Sequence, residues 1–182
     1  MDKLVLIVGL LGYLTMAVVV ARGHFSSATR PREVRLGILA SYVGLAGFIY
    51  LMLRDKHAIG SLLAALSILV ASIALFLWAA KTTRSKRLKL AFDPAFPESV
   101  VRTGPYRYIR HPFYTSYILF WLGLTIATLH PLMLVFLIAF SAMNVTAAYR
   151  EECSFETSPL AEEYVSYRKT AGMLWPKLGT AE

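Results

Sequence analysis

Residues 98–117, ESVVRTGPYRYIRHPFYTSY, hold the side chains of this chain most able to do chemistry. Arg102, Arg107, Arg110 and His111 are interleaved there with Tyr106, Tyr108, Tyr114 and Tyr117. Gly104-Pro105 reads as a turn. Pro112 suits the first position of a helix, where a missing N–H costs nothing. His111 then stands at the helix start, whose open backbone N–H groups favour a carboxylate or phosphate. Tyr106, Tyr114 and Tyr117 offer flat faces to a purine or a cation. Singly, each residue has a plainer reading, since tyrosines near a membrane boundary are commonly interface anchors and arginines commonly meet lipid headgroups. Their concentration in one short loop points to a small-molecule site.

A second group stands further on. Glu151 and Glu152 follow Arg150 at the exit of an apolar run. Carboxylates there are costly to desolvate unless matched to cations, and a helix C-terminus disfavours their charge. One reading is a solvated helix extension paired with the loop arginines. The other is a carboxylate that meets a cationic or hydroxyl-bearing ligand.

The elements that must position these groups are apolar. The chain has 182 residues, 57% hydrophobic and 16% charged, with a mean hydropathy of +0.55. Soluble domains carry about 25% charged residues. A lipid-embedded, all-α protein is therefore expected, with transmembrane helices over residues 4–21, 36–53, 59–80, 113–129 and 132–149. Only His130-Pro131 separates the last two, so they must form a tight antiparallel hairpin. That hairpin places the start of the fourth helix beside the end of the fifth, and His111 and Glu152 are predicted to face one cavity.

The net charge of +8 would suit nucleic acid, but the basic residues sit in short segments between apolar runs rather than along one soluble face. With five spans, 16 of the 19 Lys and Arg fall on one side and 3 on the other. Positive residues stay inside, so the N-terminus is expected outside and the C-terminus in the cytoplasm. The segment KTTRSKRLK from Lys81 reads as an anchor at the headgroups. The tail reads as folded, with Ser158 capping a helix that begins at Pro159 and presents Leu160, Tyr164 and Tyr167 on one face. Residues 172–176, GMLWP, are expected to dip back against the membrane or the core. A lone Cys153 excludes an internal disulfide, and the four histidines show no metal-ligand spacing.

GPYRYIRHPFY, a helical hairpin, Glu151-Glu152 and then EEYVSYRKTAGMLWP together resemble the isoprenylcysteine carboxyl methyltransferase family. The wider group of membrane methyltransferases, phospholipid methyltransferases among them, shares the pattern. The resemblance covers roughly residues 98–176 and divides the chain into residues 1–97, three helices and a basic loop, and a core over 98–182. It implies S-adenosylmethionine as cofactor, held by Glu98, Ser99, Val100, Val101, Tyr106, His111, Pro112, Phe113, Tyr114 and Glu152. It also implies a lipophilic methyl acceptor arriving from the bilayer, with Arg150 and Asn144 assigned to the acceptor side. Ala148 stands where the family usually carries an arginine thought to orient an acceptor carboxylate. Candidate acceptors are thus an isoprenylcysteine carboxylate, a phospholipid amine or a small thiol. A non-catalytic membrane scaffold or a transporter is the reading from another class.

Overall fold

The computed structural model describes residues 1–21, 32–84 and 99–177. Glu98, most of the basic segment and the first interhelical loop lie outside the described residues. Six α-helices follow in order: α1 Asp2–Ala21, α2 Arg32–Arg54, α3 Ile59–Thr82, α4 Pro112–Thr128, α5 Pro131–Glu156 and α6 Ala161–Thr170. A 3-10 turn, Gly104–Arg107, precedes α4, and there is no β-strand among the described residues.

Four of these helices, α1, α2, α3 and α5, are long and apolar enough to cross a membrane. Their outer faces leave Ile7, Leu14, Val43, Val70, Val135 and Ile138 exposed, a surface that water would not tolerate and lipid does. The protein is thus a multi-pass membrane protein. The expected fourth span, α4, has 17 residues, about 26 Å of rise against a hydrocarbon core of about 30 Å. It is the central helix, with ten of its residues buried.

The core lies where α3 meets α4. Leu69, Phe76, Phe120 and Leu124 are fully or almost fully buried there. Gly123 lets the two backbones approach, since a methyl group at that position would meet the Leu69 side chain at 2.9 Å. Ser72 Oγ donates to the Ser116 carbonyl at 2.7 Å, a buried bond between the helices. The α4–α5 hairpin is as tight as its two-residue connection demands. Leu129 takes the left-handed conformation (φ 49°), and its N–H closes on the Thr125 carbonyl at 2.7 Å. His130 then caps α5 by accepting from Leu132 N, with Pro131 in the first position.

Two expected boundaries move. The fifth helix runs seven residues past Tyr149, to Glu156, because its carboxylates find cations nearby and the backbone has no reason to stop. The tail helix starts at Ala161 rather than Pro159. Ser158 does accept from Leu160 N at 3.1 Å, but it also donates to the Phe155 carbonyl, closing a turn before the helix. Tyr164 and Tyr167 are buried as expected, and Tyr164 stacks on Phe155 with centroids 4.2 Å apart.

Residues after α6 return to the loop that precedes α4. Gly172 N donates to the Tyr108 carbonyl at 3.0 Å, Arg110 N to Gly172 O at 2.7 Å and His111 N to Met173 O at 3.1 Å. Thr115 Oγ1 adds a bond to Leu174 O at 2.7 Å. The turn that follows leaves no room for a side chain: a methyl group on Gly172 would lie 1.9 Å from the Trp175 carbonyl oxygen. Gly172→Ala is expected to destabilise the protein by roughly 1–3 kcal/mol by opening this clasp. Thermal unfolding in detergent checks it, an unchanged midpoint counting against the clasp.

Candidate functional site

The loop 99–111 is held by three devices before any ligand is considered. Gly104 sits at φ 59°, and a methyl group there would meet Thr82 Oγ1 at 2.2 Å, so the turn is pressed against the end of α3. Tyr167 donates its hydroxyl to the Tyr106 carbonyl at 2.5 Å. Arg102 lies over the Tyr167 ring, 5.6 Å from its centroid, and donates to the Glu163 carbonyl. Loop and tail therefore form one unit against the ends of α4 and α5.

Within that unit lies a buried ionic cluster. Glu152 Oε1 accepts from Arg110 Nε at 2.9 Å and from His111 Nε2 at 3.1 Å, and forms an ion pair with Arg110 Nη2 at 2.8 Å. Arg110 and Glu152 expose only 9% and 8% of their side chains. Arg110 also donates through Nη1 to the Ala171 carbonyl, which joins the cluster to the end of α6. On its other edge His111 Nδ1 lies 3.6 Å from Glu151 Oε2, which accepts from the Tyr114 hydroxyl at 3.3 Å. The Tyr114 ring stacks on the imidazole, 5.6 Å between centroids.

His111 precedes the first residue of α4 and is buried. Burial disfavours its charged form, yet the hydrogen bonds and charges of Glu151 and Glu152 outweigh that and raise its pKa from 6.5 to about 8. A raised folded-state value means stabilisation that is fully present below pH 6.5 and lost as pH rises through 8. The contribution amounts to about 2 kcal/mol. Chemical denaturation from pH 6 to 9 should show the parent losing that amount relative to His111→Gln. Parallel curves for the two would contradict an imidazolium held between carboxylates. Tyr106 is shifted in the same sense: burial first, then the Glu151 charge, hold its hydroxyl well above the usual phenol range.

Beside the cluster lies a cavity of about 320 Å³. Ser99, Val100, Val101, Tyr106, His111, Pro112, Phe113, Tyr114 and Asn144 all line it, so most of the residues singled out from the sequence are brought to one place. Glu152 is brought beside them but not into the wall. Glu151 occupies the wall instead, with 45% of its side chain exposed. Arg150 is exposed and outside the wall. Asn144 is buried and donates Nδ2 to the Phe140 carbonyl of its own helix at 2.7 Å.

The opposite wall comes from helices with no motif. Tyr13 of α1, with Glu33 and Ser41 of α2, lines the cavity, and so do Tyr164 and Tyr167 from the tail. Glu33 sits in the first turn of α2, where the helix dipole favours a carboxylate, and nothing in its sequence neighbourhood distinguishes it. The hydroxyl of Tyr164 is the one buried side-chain polar atom without a partner among the described residues. Arg110 is close, with hydrogen bonds of its own to Glu152 and Ala171. A buried hydroxyl without a partner is costly.

The arrangement can therefore hold a polar, partly aromatic molecule between the loop and α5, next to an apolar space reaching into the bundle. A search of curated proteins finds no match to the chain. The family profile described as phospholipid methyltransferase matches residues 56–158, from the turn before α3 to the end of α5, and so takes in the loop, the hairpin and both glutamates. More than half of the sequence carries that profile, and the chain belongs to the phospholipid methyltransferase family of membrane methyltransferases.

Proposed function

We propose that the protein transfers a methyl group from S-adenosylmethionine to an amine on a lipophilic acceptor, at the membrane surface where loop and tail meet. The observation that carries this reading is a single cavity with two kinds of wall. One is polar and aromatic, made by the loop, Glu151 and the tail, and the other is largely apolar, made by α1, α2 and α5 with Glu33 in the first turn of α2.

The residues present fit the cofactor. Tyr106 and Tyr114 offer aromatic faces to an adenine, and Glu151 can accept hydrogen bonds from the ribose. The start of α4 favours the amino-acid carboxylate. Bound there, the cofactor supplies an electrophilic methyl on a sulfonium that leaves as a neutral thioether. The protein's contribution is alignment and exclusion of water. Arg110, His111 and Glu152 lock the loop in place, and Glu151 remains as the carboxylate able to take the proton an amine gives up.

An amine is favoured over an isoprenylcysteine carboxylate by the charges of the wall. Arg110 is the only arginine or lysine lining the cavity among the described residues, and its charge is already paired with Glu152. Glu33 and Glu151 are carboxylates, which repel an anionic acceptor and attract a cationic one. Ala148 leaves no arginine at the position that would orient a carboxylate. Five spans with the N-terminus outside would place the cavity at the inner leaflet, in keeping with the 16-to-3 split of basic residues.

The test combines two measurements in detergent. Titration calorimetry with S-adenosylhomocysteine is expected to show binding in a site-sized stoichiometry. Methyl-labelled cofactor with a panel of amino-phospholipids, alkylamines, prenylcysteines and thiols, followed by mass spectrometry, is expected to label the amines. Absence of binding would favour a scaffold, and label on prenylcysteine alone would replace the amine by a carboxylate.

A further inference from the structure

The cavity ends at one depth on four separate helices. Below the level of Phe155, its wall runs from Ala21 to Tyr13 on α1, from Glu33 to Tyr42 on α2, from Pro112 to Trp121 on α4 and from Glu151 to Phe140 on α5. At the helical rise, each stretch descends about 12–16 Å. That is about one leaflet of a 30 Å hydrocarbon core.

What closes it is built rather than incidental. Tyr13 and Ser41 share a hydrogen bond of 2.8 Å, a crossbar between α1 and α2. On the other side Trp121 packs against Phe140 with centroids 5.5 Å apart and against Phe136 at 4.4 Å. Phe136 and Phe140 stack at 5.6 Å. Gly44 of α2 lets the Phe136 ring seat against its backbone, since a methyl group there would lie 2.6 Å from the ring. Beneath this layer Phe48 and Leu124 fill the bundle, 0% exposed. The space above is mostly apolar, and α1 and α2, which supply about a third of its lining residues, lie before the family-matched residues.

We propose that this floor, Trp121 and Phe140 with the Tyr13–Ser41 crossbar, limits the length of the apolar chain that an acceptor can bury, and so selects the acceptor. The proposal rests on the reading that the acceptor occupies this cavity. A chain whose head lies near Glu151 and Glu33 reaches the floor after about one leaflet's depth. Each methylene that still finds room adds about fourfold in affinity. Beyond the floor the gain stops, because a further methylene must remain outside or displace packed rings.

Two experiments use the full chain in detergent, with primary n-alkylamines as probes. In Trp78→Phe/Trp175→Phe protein, Trp121 is the sole tryptophan of the original three. Amines brominated at the terminal carbon should quench it only from the chain length that reaches the floor. Quenching at every length equally, or at none, overturns the proposal. In the second, binding constants of unlabelled amines are followed along the series. The parent should gain about fourfold per methylene to a cut-off, and Phe140→Ala should move the cut-off to longer chains while S-adenosylhomocysteine binding is unchanged. An unmoved cut-off in Phe140→Ala, and in the gentler Phe140→Leu, overturns it. If no amphiphile accepts a methyl group, the enzymatic reading fails on its own, because quenching and binding require no turnover.

Discussion

Arg110→Met is expected to cost about 3–5 kcal/mol and to undock the tail from the loop. The guanidinium hydrogen-bonds Glu152 Oε1 through Nε, pairs with it through Nη2 and ties the cluster to Ala171. Removing it leaves a carboxylate at 8% exposure with only His111 beside it and a distant Arg168 nitrogen at 3.9 Å. Desolvation, not the lost attraction, dominates the loss, because an uncompensated buried charge is worse than no charge at all. Thermal or denaturant unfolding in detergent measures the first part. Faster proteolysis after residue 156 reports the second. The double variant Arg110→Met/Glu152→Met should recover much of the loss, since a packed apolar pair replaces a buried ion pair at little cost. If the double variant is no more stable than Arg110→Met, unpaired charge is not the reason for the instability.

The second large effect separates two adjacent glutamates. Glu151→Gln is expected to weaken S-adenosylhomocysteine binding by about 10–100-fold, the worth of hydrogen bonds to a charged acceptor, and to lower stability only by its share of the support given to the His111 imidazolium. Glu151 is half-exposed and faces the cavity, and its bonds to Tyr114 and His111 lie at the rim. Glu152→Gln should behave in the opposite way. It loses a buried charge that Arg110 and His111 need, so stability falls first and ligand binding falls only through it. Calorimetry at a temperature well below both midpoints distinguishes the cases. Equal losses of affinity for the two variants, with both folded, would mean that both carboxylates contact the ligand.

That contrast shows how far the sequence could be read. Neighbours on a helix point about 100° apart, so two consecutive glutamates meet different surroundings. Hydropathy located the pair at the end of a span, and the short hairpin placed it beside His111. Which of the two is buried depends on where α5 is rotated against the loop and tail, and that rotation is set by packing around Phe155 and Tyr164. Similarly, the apolar pattern ends at Tyr149 while the helix continues to Glu156, because helical hydrogen bonding does not require apolar side chains once cations neutralise the carboxylates. Ser158 carried a cap signal that the turn beside Phe155 redirected. Glu33 and the tail tyrosines carried no positional signal as cavity residues.

Much was determined by sequence alone. Continuous apolar runs dictate helices in lipid, since no other local structure satisfies the backbone there. Pro112 and Pro131 mark helix starts, a two-residue connection imposes the hairpin, and the loop's cations and aromatics announce a ligand site. Only the tertiary structure decided what those groups do to one another. Arg110 and His111 meet Glu152 from more than 40 residues away, and Glu151 is left for the cavity. The floor at Trp121 and Phe140 arises where four helices happen to be level. The physical reason is the same in each case: local spacing governs hydrogen bonding along a helix, whereas the direction in which a side chain finds its partner depends on how helices rotate and slide against each other.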